Sequence, residues 1–187
     1  MKLNRSILIS LCLLIVVAAL YRIIPARPFG FAPHIAMAIF GGAIIKDRKW
    51  AFALPVFSMF LSDLMYELLF RAGISDTQGF YAGQFTNYVL FLGLTLVGFA
   101  IRKHVSTLSI FAASLAGPTI YFVLSNFFVW FAGGGFQRPK TFAGLMQCYA
   151  DGLPFYYGSI AATMVFGALL FGGYYLVAGE KKQLQSA

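Results

Sequence analysis

Six apolar stretches of 17 to 26 residues divide this chain, at 6–24, 29–45, 50–70, 80–101, 108–132 and 153–178. A helix rises ~1.5 Å per residue and needs about 20 apolar residues to cross a bilayer core of ~30 Å. The spacing therefore predicts an all-α membrane protein, a six-transmembrane-helix bundle forming one domain over 1–187. Little of the 187-residue chain is left for a soluble domain. Only 11% of the residues are charged and the mean hydropathy is +0.79, against about 25% charged in an average soluble domain.

The net charge of +8 is first a question of orientation. With both termini inside, the inner segments hold Lys2, Arg5, Lys46, Arg48, Lys49, Arg102, Lys103, Lys181 and Lys182, and the outer ones hold Arg22, Arg27, Arg71, Arg138 and Lys140. Nine against five places both termini in the cytoplasm. Two stretches are weaker than the rest. The first, behind Lys2 and Arg5, has the look of a secretory signal, but no clear small-x-small cleavage site ends it and it reads as an uncleaved helix. The second spans only ~25 Å at 17 residues and contains Pro33 and His34, so a tilted, short or re-entrant helix is expected there. Cys12 and Cys148 give neither metal-ligand spacing nor a disulfide framework.

Polar side chains inside such stretches are expensive and mark either helix-to-helix ties or a ligand path. Asp63 and Glu67 lie four residues apart, on one face of the third stretch. Counted from the helix ends, His34, Asp63, Glu67, Asn87 and Asn126 all fall within ~5 to 11 Å of the outer boundary. Trp130 shares a face with Asn126. These six residues are the candidate binding site of an outward-facing pocket. Asp63 and Glu67 would supply negative charge, His34, Asn87 and Asn126 hydrogen bonds, and Trp130 an aromatic wall, a set suited to a ring-bearing or cationic ligand. A cation or a proton would neutralise the two carboxylates. The competing reading makes the same residues ties between helices.

Small pairs at four-residue spacing, among them Ala32 with Ala36, Ala38 with Gly42 and Gly158 with Ala162, predict close helix packing. Pro55 and the Gly117, Pro118 pair predict bends. The connection 133–152 is the longest, opens on three glycines and is a candidate external lid. The chain holds no G-x-x-x-x-G-K-[ST], H-E-x-x-H or G-x-S-x-G motif and no Cys or His cluster. No catalytic residue, metal site or cofactor is assigned, and an enzyme is not expected.

The runs FGFAPHIAMAIFGGAII, LSDL around Asp63, GQFTNY around Asn87 and SNFFVW around Asn126 resemble a family of small bacterial membrane proteins assigned to transport. That family is similar to the S components of energy-coupling factor (ECF) transporters, the six-helix subunits that capture vitamins or metals. The resemblance covers about residues 26–175. It implies a multi-pass protein of the bacterial inner membrane, a substrate pocket near the outer face, and docking onto a transmembrane coupling subunit with two ATPases. The expected function is the substrate-binding subunit of a small-molecule importer, for a vitamin-like or cationic substrate. The alternative is a membrane scaffold or assembly protein whose buried polar residues are structural.

Overall fold

A computed structural model describes residues 5–24 and 26–186, with side chains over 12–24 and 26–176. It contains six helices: α1 (Arg5–Arg22), α2 (His34–Ile44), α3 (Arg48–Arg71), α4 (Gln84–Ile101), α5 (Thr107–Ala132) and α6 (Phe142–Ser186). No strand occurs among the described residues. Four helices are long and apolar enough to cross a membrane, namely α3, α4, α5 and the Phe142–Leu176 part of α6. Their outward faces carry exposed Leu68, Leu96, Phe111 and Leu169, an arrangement that lipid accommodates and water does not. Lys2 lies outside the described residues, as do the side chains of Arg5, Lys181 and Lys182.

The short helix is the centre of the bundle. Every residue of α2 from His34 to Ala43 is buried, and α2 packs against α3, α4, α5 and α6. Its 11 residues span only ~16 Å, about half of a hydrocarbon core, so the second predicted crossing shortens to an internal helix. Pro33 stands at its N-cap, and the described residues before it, 23–24 and 26–32, run as a connection. Gly30 turns there at φ +69°, against the Phe155 backbone, where a side chain has neither the conformation nor the space.

Lipid offers no hydrophobic drive between helices, so their attraction rests on close packing. Gly42 of α2 and Gly98 of α4 face each other, and a Cβ on either would strike the Thr95 or Ile39 carbonyl of the opposite helix. Ile35, Ile39, Leu54, Phe91 and Leu94 fill the core around this crossing. Buried Pro55 and Pro118 lie inside the continuous helices α3 and α5. Asp47 Oδ1 accepts from Lys49 N at 2.9 Å to cap α3, and Ser106 with Ser109 forms a capping box on α5.

The last helix differs most from expectation. It begins at Phe142, and only 133–141 form the connection from α5. The starting signal is local: Thr141 Oγ1 accepts from Gly144 N at 3.1 Å, as an N-cap side chain does. Pro154, expected in the first turn, sits inside the helix. The expected loop 133–152 is therefore mostly the first three turns of α6, zipped against α5 as a tall hairpin.

Candidate functional site

A cavity of about 730 Å³ lies at the end of the bundle where α1 and α3 finish and α2 and α4 begin. All six helices contribute to it, together with the α1–α2 connection and the α3–α4 connection. The latter lies tight on α3, because Gly79 touches the Asp63 carbonyl and the Glu67 amide. These two connections cover the cavity. The hairpin tip at 133–152, expected as the lid, contributes nothing to its lining.

Of the six candidate residues, the cavity brings together His34 and Asn87. His34 is buried at the start of α2, with Nε2 3.1 Å from Ser58 Oγ. Asn87 links two phenols across the cavity: its Nδ2 donates to Tyr81 Oη at 2.7 Å and its Oδ1 accepts from Tyr121 Oη at 3.1 Å. Burial pushes the Tyr81 phenol up, so it keeps its proton at neutral pH.

Asp63 lies behind the wall. Its carboxylate is 1% exposed and accepts from Arg22 Nη1, from Gln84 Nε2 and from Tyr88 Oη, the last at 2.7 Å. The cation expected from a ligand is thus supplied by Arg22, at the end of α1. This arrangement ties α1, α3 and α4 together. Gln84 Oε1 is the one buried side-chain oxygen without a partner among the described residues. Glu67, one turn further on, accepts from Arg71 Nε at 2.8 Å and does not line the cavity. The two carboxylates share a helix face but not a partner.

Asn126 and Trp130 stand in the hairpin above the cavity. Asn126 lies beside Gly152 and donates from Nδ2 to Phe122 O at 2.8 Å. Trp130 Nε1 donates to Pro139 O at 2.8 Å, with Lys140 Nζ 5.2 Å from its ring. The reason is register. Tyr121 is the α5 residue level with Asn87, so Asn126 sits five residues, or ~7.5 Å, beyond it. Measuring depth from the end of α5 assumed that α4 and α5 end together, whereas α5 is 26 residues long and α4 18.

The residues that sequence reasoning missed are Arg22 and Arg27, counted only as outer charges. Arg22 Nη1 also donates to Ser62 Oγ at 2.6 Å, and its guanidinium lies 5.5 Å from the Tyr66 ring centre. Arg27 Nε donates to Arg22 O at 2.7 Å and Nη1 to Phe31 O at 3.4 Å, and Arg27 makes no ion pair among the described residues. The carboxylate in the lining is Asp76, exposed in the α3–α4 connection. One signal pointed to the pairing: Arg22 lies near the outer end of its apolar stretch, the end to which Asp63 was also assigned, and a long arginine side chain there can reach a buried carboxylate. Among the described residues no three His, Cys, Asp or Glu gather to hold a metal ion.

No curated protein and no solved structure matches the chain. A family profile does match it, over residues 2–186, and the chain belongs to that family, the family of unknown function DUF6580.

Proposed function

We propose that this protein is the substrate-binding subunit of a small-molecule importer in the bacterial inner membrane, holding its ligand in the cavity between the α1–α2 and α3–α4 connections. The observation that carries this reading is the cavity itself. Its volume of about 730 Å³ falls in the range of small-molecule sites, roughly 300 to 1,000 Å³, and its wall mixes aromatic rings with convergent polar groups. A bundle built only for packing has no use for such a space. The cavity lies at the end that the charge count places outside, as capture from the outer medium requires. Release inward would then need energy from elsewhere, which fits a coupling subunit with two ATPases as partner.

The substrate is not expected to be drawn in by Asp63 and Glu67, whose charges Arg22 and Arg71 already meet. That engagement favours the second reading at those two positions: a scaffold protein in which buried polar groups join helices. The two readings separate in one experiment. The detergent-purified protein is melted against a panel of vitamins and related small organic molecules, alongside Ala32→Trp, which fills the cavity, and Ala116→Trp on the exposed side of α5. A ligand at 100 times its Kd adds about 2.7 kcal/mol to stability. The importer reading expects a rise in melting temperature that Ala32→Trp removes and Ala116→Trp keeps. A rise that survives Ala32→Trp sinks it, and a folded protein that no compound stabilises favours the scaffold.

A further inference from the structure

We infer that the cavity takes a small organic monocarboxylate, its carboxylate held by Arg27 and by a phenol of the Tyr81–Asn87–Tyr121 chain, its apolar body lying against Phe29, Phe91 and Phe155. This deepens the importer reading and rests on it.

The first ground is charge. Arg22 and Asp63 neutralise each other, Glu67 and Arg71 pair outside the lining, and the lining carboxylate Asp76 is exposed and does not pair with Arg27, which leaves Arg27 as the cavity cation without an ion-pair partner among the described residues. Its guanidinium is held by two backbone carbonyls, those of Arg22 and Phe31, so it is positioned rather than loose. Those carbonyls engage two of its five N–H groups, and the planar fork of the remainder suits two carboxylate oxygens. One such cation matches a single negative charge. A phosphate dianion would bring an excess.

The second ground is the count of donors. An amide has one acceptor end and one donor end, so whichever way Asn87 faces, one phenol donates to it and the other accepts from it. The accepting phenol keeps its own O–H. The cavity therefore presents unspent donors from Arg27 and from a tyrosine, a demand that an acceptor-only group fills. A cationic ligand at the same position would meet the Arg27 guanidinium with repulsion.

The third ground is the apolar wall. The Phe29 and Phe155 rings lie 5.2 Å apart on one side, and the Phe91 and Tyr121 rings 5.2 Å apart on another. These surfaces suit the body of an aromatic or branched acid rather than a compact dicarboxylate.

The test is titration of the full-length protein in detergent with matched sets: benzoate, phenylacetate and indole-3-acetate, each against its neutral amide and the corresponding amine, with phenyl phosphate added. Melting temperature and heat of binding are the readouts. Carboxylates are expected to bind where amides and amines do not, with Arg27→Gln weakening them by about tenfold to a hundredfold. Arg27→Lys should retain part of the affinity, since it keeps the charge and loses the fork. Both variants lose hydrogen bonds to the Arg22 and Phe31 carbonyls and should melt somewhat lower than the parent when unliganded, but still in one cooperative transition, a check that loss of binding is not loss of fold. If amides or amines bind as well as the acids, if phenyl phosphate binds best, or if Arg27→Gln binds the acids unchanged, the monocarboxylate assignment is overturned while the cavity remains a binding site. Absence of binding by every member of the sets overturns both.

Discussion

Arg22 and Asp63 meet where their side chains are 18% and 1% exposed, whereas Arg138 and Asp151 meet at 36% and 25%. The first pair joins α1 to α3, gathers Gln84 and Tyr88 from α4, and forms the back of the cavity wall. The second fastens the tip of the α5–α6 hairpin, with two hydrogen bonds at 2.8 and 2.9 Å from Arg138 to Asp151. The Arg138–Asp151 contact is the better fork, yet it is the more exposed of the two. Burial, not geometry, decides which pair the fold depends on. Removing one partner of a buried pair strands the other charge, while removing one partner of an exposed pair returns the other to solvent.

The largest expected effect breaks the buried side of this comparison. Asp63→Ala should lower stability by about 3 to 5 kcal/mol, read by unfolding in detergent with increasing denaturant, because Arg22 loses its counter-charge at a buried site. A loss below about 1 kcal/mol would mean that water reaches the pair and that the contrast is unfounded. Next comes Tyr88→Phe, which removes one hydrogen bond to the carboxylate and should cost roughly 1.5 to 3 kcal/mol by the same measurement.

The exposed side should respond weakly. Arg138→Ala is expected to cost about 0 to 1 kcal/mol. Raising the salt to about 1 M, where screening acts over ~3 Å, should erase that difference and leave the Asp63→Ala deficit largely in place. Equal salt sensitivity of both variants would place the two pairs in the same dielectric. The smallest effect concerns the ligand: Trp130→Ala, in the hairpin tip, should leave the affinity of any cavity ligand unchanged. Asn87→Ala should reduce it by about tenfold, as measured by heat of binding. A Trp130 variant that loses affinity would return the hairpin tip to the site.

The helices were legible because hydropathy is a local property. The stretches 50–70 and 108–132 became α3 and α5 to within two residues at each end, with Asp47 and Ser106 marking the starts. Where expectation and structure part, a local signal was overridden or overlooked. The stretch 29–45, expected as a tilted, short or re-entrant crossing because of Pro33 and His34, is shortened by Pro33 and the turn at Gly30 to the helix His34–Ile44. The segment 142–152 reads as a loop until Thr141 is recognised as a cap. Of the site, His34 and Asn87 were found as polar residues at helical depth, whereas Arg22 and Arg27 stayed hidden because Lys and Arg near helix ends normally extend to the interface.

By itself the sequence determined the six helices in this order among the described residues, although all six read as crossings where four are long and apolar enough to cross a membrane. Each helix satisfies its own backbone and is written in its own residues, so nothing distant is needed to specify it. Only the tertiary structure decided that α2 is an internal helix, that Asp63 belongs to Arg22, and that Arg27, rather than Asp63 and Glu67, lines the cavity. Those choices depend on which helices lie side by side and at what relative height. Arg22 and Asp63 are 41 residues apart, and the charge a cavity presents is what remains after such distant partners have met.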